Sequence, residues 1–160
     1  MPAAGLSLIE LLAPRRGERV LDAGCGLGRT SAELAARGCI VTGVDREPAS
    51  LEQARIAAPE AEFLCIDLRR YRPEPAFDAV LAAGVLHWLG SIDEAAALAR
   101  TWLIPGGRLA ASLGGAGVPA PSLAQVVPAF ARAGFIDIRL APQDSRLYVS
   151  ARRPEARLVP

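Results

Sequence analysis

The chain has 160 residues, of which 51% are hydrophobic, and its formal net charge at neutral pH is +1. This length suits one domain with one core, and the hydrophobic fraction excludes a disordered chain. The near-neutral charge argues against a nucleic-acid-binding surface, and the absence of lysine excludes lysine-based catalysis.

Four short apolar runs in the first half of the chain are predicted to be strands: residues 19–24, 39–45, 61–67 and 77–84. After the first strand, Thr30 and Glu33 have the spacing of a capping box, which predicts a helix that Gly38 ends. A second helix is predicted from Pro48, which suits a first helical position, to the next proline, Pro59.

The second half continues the alternation of strands and helices. Its predicted elements are a helix through Leu103, a strand at 108–113, a helix at 122–133, and strands at 135–141 and 146–152. Ser91 and Glu94 form a capping box for the first of these helices, and Pro105-Gly106-Gly107 is predicted to turn into the strand after it. Only four residues separate the last two strands, so they are expected to pair antiparallel.

Strand runs that are apolar on both faces, alternating with helices, indicate a parallel sheet covered by helices on each side. We therefore predict one α/β domain over residues 1–160, with no separate lid or substrate domain. The N-terminus lacks a basic leader, and the longest apolar run, 79–90, is too short to cross a bilayer. The three cysteines, Cys25, Cys39 and Cys65, lack metal-ligand spacing, so no metal is predicted. They are expected to be small buried residues of a protein in a reducing compartment, and we predict a cytoplasmic protein.

The stretch VLDAGCGLGRT, residues 20–30, places three glycines at alternate positions after the first strand. Ligands of doubly wound sheets bind beyond the carboxyl ends of the strands, so this loop is the first candidate site. Its G-x-G-x-G spacing fits neither the dinucleotide fingerprint nor the phosphate loop that ends in Gly-Lys-Ser/Thr. The Asp22 carboxylate would repel a pyrophosphate and attract a cationic ligand such as S-adenosylmethionine, whereas a simple tight turn without a ligand is the alternative.

Two more acids end the next two strands. Asp45 lies 21 positions after Gly24, near the spacing of an acid that binds ribose. Asp67 is placed to accept a hydrogen bond from an adenine amino group, with Leu68 packed near the ring. Because the three strands are neighbours, Asp22, Asp45 and Asp67 are expected to line one crevice; a turn or helix-cap role is the alternative for the latter two.

In combination, these motifs resemble those of the class I S-adenosylmethionine-dependent methyltransferases, in particular the small-molecule branch of trans-aconitate methyltransferase and type 11 domains. VLDAGCGLG resembles the family's glycine motif, VTGVD its ribose-binding strand and FLCIDL its adenine segment. FDAVLAAGVLHWL with LIPGGRL resembles its fourth strand, the helix after it and its fifth strand. The resemblance covers residues 19–113 and implies a Rossmann-like, seven-stranded sheet of order 3-2-1-4-5-7-6, with strand 7 antiparallel.

The resemblance also implies an S-adenosylmethionine site at the ends of four strands. The residues implied are Asp22, Gly24, Cys25, Gly26, Asp45, Arg46, Asp67, Leu68, Ala83 and Gly84. The first loop would hold the methionine end, the second the ribose and the third the adenine, while the backbone after the fourth strand would run beside the sulfonium.

Methyl transfer needs few catalytic side chains, because the cofactor supplies the reactive group. His87, the only histidine, is a tentative general base, and a packing role beside Trp88 is the alternative. Sequence signatures of DNA, arginine and catechol-type methyltransferases are absent. We therefore predict methyl transfer by in-line displacement to a small molecule, at a carboxylate or hydroxyl oxygen.

Two other functions stay open at this point. The short loop 114–122 offers little to cover the site, unless residues 2–13 fold over it or another subunit does. A non-catalytic partner subunit that binds S-adenosylmethionine is therefore one alternative, and a nucleotide-binding oxidoreductase is a second. Neither a nucleic acid nor a membrane is expected as a partner, whereas a homo-oligomer or a covering subunit is.

Overall fold

The computed structural model describes residues 7–158. Its strands are β1 Arg19–Ala23, β2 Ile40–Asp45, β3 Glu62–Cys65, β4 Phe77–Ala83, β5 Leu103–Gly114, β6 Ile136–Gln143 and β7 Arg146–Arg152. They form one sheet in the order β3-β2-β1-β4-β5-β7-β6. The first five strands pair in parallel, and β7 lies antiparallel between β5 and β6. The predicted α/β class and strand order are confirmed.

The helices are α1 Leu8–Leu12, α2 Arg29–Ala36, α3 Pro48–Ala57, α4 Ile92–Thr101 and α5 Leu123–Arg132. At α4 the predicted capping box is present, because the Ser91 hydroxyl accepts from the Glu94 N–H and the Glu94 carboxylate accepts from the Ser91 N–H. The box predicted at Thr30 and Glu33 is wrong. Helix α2 begins one residue earlier, after Gly28, whose left-handed φ of 82° turns the chain out of the glycine loop into the helix.

Two strand boundaries differ from the prediction. The turn expected at Pro105-Gly106-Gly107 is a bulge inside β5, because Leu103 already pairs with Phe77 before the register shifts. The final hairpin has a loop of two residues, since β6 continues to Gln143 and β7 begins at Arg146. Each difference arises where hydrogen bonds to a neighbouring strand extend an element beyond its local signal.

Apolar side chains fill both faces of the sheet. On β1, Val20 lies in the cluster under α1 and α2, while its neighbour Leu21 lies in the cluster under α4 and α5. Trp102 is fully buried in the second cluster, where its Nε1 donates to the Tyr71 carbonyl at 3.2 Å. Burial on both faces leaves the carboxyl ends of the strands as the place for a site.

Helix α1 packs on one face of the sheet, with Ile9 and Leu12 buried in the cluster that includes Leu81 of β4 and Ala110 of β5. The Arg108 guanidinium holds its last turn by donating to the Leu12 carbonyl at 3.0 Å. Residues 7–13 therefore do not cover the carboxyl ends of the strands, contrary to one of our expectations. Residues 2–6 of that expected cover lie outside the described residues.

The cysteines only partly match the prediction. Cys25 and Cys39 are buried, but Cys65 is exposed, because β3 is an edge strand whose end faces solvent. Within residues 7–158, no helix has the length and apolar character needed to span a membrane.

Candidate functional site

A cavity of about 330 Å³ lies beyond the carboxyl ends of β1 to β4. We call it the first cavity. Of the ten predicted cofactor residues, seven line it: Gly24, Asp45, Arg46, Asp67, Leu68, Ala83 and Gly84. The other three, Asp22, Cys25 and Gly26, do not. The structure thus brings together residues from four strand ends that are separated by up to 60 positions in the chain.

The three glycines after β1 meet different surroundings. A Cβ on Gly24 would lie 2.7 Å from Val85 Cγ2, and one on Gly28 would lie 2.7 Å from the backbone Cα of Ala54. These two glycines therefore allow close approach of the segment after β4 and of α3. A Cβ on Gly26 would meet nothing within 4 Å, so its φ of 52°, and not crowding, favours glycine there.

Asp45 lines the first cavity at the end of β2. Its Oδ2 accepts a hydrogen bond from the Gly26 N–H at 2.9 Å, and its Oδ1 accepts from the Glu47 N–H at 3.0 Å. A carboxylate oxygen has two acceptor positions, so each oxygen keeps one for a ligand hydroxyl. The two backbone bonds hold the carboxylate in place before any ligand arrives.

Asp22 lies outside the cavity, between β1 and α2. Its carboxylate is 2% exposed and accepts a hydrogen bond from the Ser31 hydroxyl at 2.6 Å. Burial raises the pKa of Asp22 to about 6, although the Ser31 hydrogen bond opposes the shift. The carboxylate thus faces α2 through Ser31, and Asp22 is not among the residues that line the first cavity.

Asp67 lines the cavity, but its carboxylate is already paired. The Arg69 Nη2 donates to Asp67 Oδ2 at 2.6 Å, and the Arg69 Nε donates to both carboxylate oxygens at 3.1 Å. This side-chain hydrogen bonding lowers the pKa of Asp67 to about 2. Arg69 also lines the cavity. The signal in the sequence was its place two residues after an acid that caps a short helical turn.

A second cavity, of about 280 Å³, adjoins the first and shares Ala83, Gly84 and Trp88 with it. Gly84 has a φ of 62°, and a Cβ there would meet nothing within 4 Å. Its N–H donates to the Ser112 hydroxyl at 2.9 Å, which ties the end of β4 to β5. Ala83, Gly84 and Trp88 thus form the border between the two cavities, and at Gly84 this border has no side chain.

His87 lines the second cavity beside Trp88, with the two ring centroids 5.0 Å apart. Among the described residues, the buried His87 Nδ1 has no hydrogen-bond partner, and burial lowers the pKa of the imidazole. Trp88 is 66% exposed. The short helical turn at 86–88 buries Leu86 instead and turns Trp88 toward the cavities.

Residues 21–111 match the model of a protein family described as "Methyltransferase domain". The match covers more than half of the chain. The chain belongs to this methyltransferase family. Trans-aconitate 2-methyltransferase of Methylobacterium radiotolerans is 41% identical over 117 residues, which is 70% of this chain and 43% of that protein. The enzyme of the same name from Enterobacter sp. is 46% identical over 72 residues, 44% of this chain and 29% of that protein.

This methyltransferase chain therefore spans less than half the length of these curated relatives. Among solved structures, a TehB-like SAM-dependent methyltransferase from Corynebacterium glutamicum matches 92% of this chain and 85% of its own, with a TM-score of 0.74 and 28% identity. An S-adenosylmethionine-dependent methyltransferase from Mesorhizobium loti, at 22% identity and a TM-score of 0.77, covers 91% of this chain and 95% of its own and shows the shared fold. The predicted family, class I S-adenosylmethionine-dependent methyltransferases, is confirmed, and nothing observed supports an oxidoreductase.

The first cavity suits S-adenosylmethionine, the cofactor of this methyltransferase family. Its volume of about 330 Å³ lies within the range of about 300–1,000 Å³ that is usual for ligand pockets. Bare backbone borders it at Gly24 and Gly84, Asp45 presents free acceptor positions, and Leu68 and Leu89 supply apolar wall. No set of three or more potential metal ligands is clustered in the described part of the chain.

Proposed function

We propose that this methyltransferase domain transfers a methyl group from S-adenosylmethionine in the first cavity to a small-molecule acceptor in the second. One observation carries the proposal: the two cavities border each other at the end of β4, where both are lined by Ala83, Gly84 and Trp88. Family membership supports the identity of the methyl donor.

We propose the cofactor contacts as follows. Asp45 accepts from the ribose hydroxyls, because it lines the cavity with one free acceptor position on each oxygen. Leu68 and the paired Asp67 border the adenine, and the Ala83-Gly84 backbone runs beside the sulfonium. Gly24 and Arg46 complete the wall, whereas Cys25 and Gly26 shape the loop without lining the cavity, and Asp22 fixes the start of α2 through Ser31.

Bound S-adenosylmethionine supplies a methyl group on a sulfonium: the carbon–sulfur bond breaks as an acceptor oxygen bonds to carbon, and the electron pair stays on sulfur. The protein has to align the acceptor and exclude water. A carboxylate acceptor loses no proton, and relatives named for trans-aconitate favour such an acceptor. A hydroxyl acceptor does lose one, and His87 is the proposed base, because its lowered pKa keeps the imidazole neutral at pH 7.

A second candidate function rests on the exposure of the site. Trp88 is 66% exposed beside both cavities, and the segment after β5 forms a tight bridge between Gly115 and Val118. A non-catalytic partner subunit that binds S-adenosylmethionine, or an enzyme whose site a second copy covers, accounts for this exposure. We further propose that the domain acts in the cytoplasm, where its free cysteines stay reduced.

Calorimetry and labelled methyl transfer test these proposals together. We expect S-adenosylmethionine and S-adenosylhomocysteine to bind and NAD not to bind. Methyl transfer from the labelled cofactor to a panel of carboxylates, phenols and amines should then select oxygen acceptors. Binding of NAD alone would overturn the cofactor assignment, and normal cofactor binding without any transfer would favour the partner subunit.

A matched pair of glycine variants tests the meeting point of the cavities. Gly84 and Gly17 both have positive φ, and a Cβ on either would meet nothing within 4 Å, but Gly17 lies before β1 and lines neither cavity. Gly84→Ala should therefore reduce methyl transfer at least about tenfold, while Gly17→Ala, with a similar backbone cost, should not. Equal effects would place the reaction elsewhere.

A further inference from the structure

We propose that Arg146 of β7 holds an anionic group of the acceptor, and that the domain therefore selects acceptors whose anionic group is separate from the oxygen that is methylated. The proposal rests on the function proposed above and assigns the substrate class of the second cavity. Arg146 lies outside residues 21–111, the part of the chain that matches the family model.

The pairing of β5 with β7 directs Arg146 to this cavity. Gly114 lies opposite Arg146, and Ser112 lies opposite Tyr148, so all four residues face the same side of the sheet. Ser112 lines the second cavity on that side. Because Gly114 has no side chain, nothing on β5 stands between Arg146 and the space next to Ser112.

Because Gly115 has no side chain, it leaves room for the Arg146 side chain beside the second cavity. A Cβ on Gly115 would stand 2.6 Å from Arg146 Nε, which is closer than a nonbonded atom approaches a real Cβ. The turn that carries Gly115 is held by two hydrogen bonds with Val118, of 2.8 and 3.0 Å. The guanidinium thus lies against the backbone of this turn, beside the second cavity.

The charge of the second cavity favours an anion. Arg146 is the only Arg, Asp or Glu among its lining residues, and burial keeps His87 neutral by lowering its pKa. Within the described residues, the Arg146 guanidinium has no ion pair, whereas Arg152, on the same strand, is paired with Asp137 at 3.3 Å. An unpaired guanidinium in an acid-free cavity attracts a carboxylate, with which it can form two hydrogen bonds, and repels an ammonium.

Arg146, the residue proposed to bind the anionic group, lies apart from the place proposed for methyl transfer. Gly84 follows β4 at the border with the first cavity, Ser112 lies on the neighbouring strand β5, and Arg146 lies on β7 beyond it. An acceptor with a single carboxylate held by Arg146 would have no nucleophile at Gly84. The geometry therefore points to dicarboxylates or hydroxycarboxylates, with one oxygen group at each end.

Steady-state kinetics with matched acceptors test this assignment. The acceptors are succinate, glutarate and trans-aconitate, compared with butyrate and valerate, which lack the second carboxylate. For Arg146→Gln we expect KM for the acceptors with two or more carboxylates to rise about tenfold to a hundredfold, with kcat and the Kd of S-adenosylhomocysteine nearly unchanged. Arg146→Lys should recover part of the loss. Gly115→Ala, which pushes the guanidinium aside, should reproduce it.

Arg139→Gln is the control, because Arg139 lies on the adjacent strand β6 and does not line the second cavity. An unchanged KM in Arg146→Gln, or an equal rise for butyrate and glutarate, would overturn the proposal. If the wild-type chain methylates no acceptor, the proposed function fails, and titration of glutarate into the S-adenosylhomocysteine complex decides the anion site separately. Binding that Arg146→Gln abolishes supports the site; absence of binding to the wild type refutes it.

Discussion

The Asp45 carboxylate accepts a hydrogen bond from the Gly26 N–H at 2.9 Å, which ties the end of β2 to the loop after β1. The acid proposed to bind ribose is therefore also the acid that positions the glycine loop. Its second oxygen accepts from the Glu47 N–H and fixes the start of α3 in the same way.

Replacing Asp45 by Ala should weaken S-adenosylhomocysteine binding by about 1–3 kcal/mol, because hydrogen bonds to a charged group are lost. This corresponds to about a fivefold to 150-fold rise in Kd, which calorimetry measures. Asp45→Asn keeps one acceptor oxygen and should lose less. An affinity that stays the same in Asp45→Ala would refute the ribose contact.

The second and third glycines of the loop, Gly26 and Gly28, are expected to differ in the cost of an alanine substitution. Gly28→Ala places a Cβ 2.7 Å from the Ala54 backbone, whereas Gly26→Ala places one in open space. We expect Gly28→Ala to lower the free energy of unfolding by about 2–4 kcal/mol, and Gly26→Ala by about 1–2 kcal/mol from positive φ alone. Denaturant unfolding of both variants gives the comparison, and equal losses would contradict the role of Gly28 in packing α2 against α3.

The buried Asp22 predicts a pH dependence of stability. Its folded-state pKa of about 6 lies above its ordinary value of 3.8, so the folded state binds the proton more tightly than the unfolded state. The contribution of Asp22 is then most favourable below about pH 4 and is lost as the pH rises to about 6. Relative to the wild type, Asp22→Asn should gain about 2–3 kcal/mol between these limits, measured by urea unfolding across the range. A constant difference across the range would disprove the shifted pKa.

Arg108 of β5 contacts both the end of α1 and Glu18, the residue before β1. Its guanidinium pairs with Glu18 at 2.8 Å and donates to the Leu12 and Ala13 carbonyls at 3.0 Å. Arg108→Leu leaves a partly buried carboxylate and two carbonyls without this donor, so we expect a loss of about 2–4 kcal/mol. Hydrogen exchange should show faster opening of α1. The double variant Arg108→Leu with Glu18→Leu should be less unstable than the sum of the single variants.

Exposure of the cysteines predicts their reactivity toward a thiol reagent. Cys65 is exposed, whereas burial raises the pKa of Cys25 to about 12 and also raises the pKa of Cys39. At pH 8, one thiol per native chain should react rapidly with the reagent, and Cys65→Ser should abolish this rapid reaction. Three fast equivalents in the native protein would contradict the burial of Cys25 and Cys39.

Much of the site was predictable because its residues follow local signals. Asp45 and Gly84 stand directly after apolar runs, and parallel strands bring their carboxyl ends to one edge of the sheet. The place of Arg69 beside the ligand cavity was not predicted, because an acid–arginine pair two residues apart is equally compatible with a solvated loop. The exposure of Trp88 was not predicted either, because nothing in its local pattern shows that Leu86 takes the buried position.

The sequence by itself determined the order of strands and helices, the glycine turn and the family, because capping residues, prolines and apolar periodicity act over a few residues. Only the tertiary structure decided which polar groups face a ligand. The Asp22 carboxylate accepts a hydrogen bond from Ser31, and the Asp67 carboxylate pairs with Arg69. The Arg146 side chain lies next to Gly114 and Gly115, which have no side chains. Such contacts depend on strand register and on how neighbouring elements pack, and these are set by residues distant in the chain.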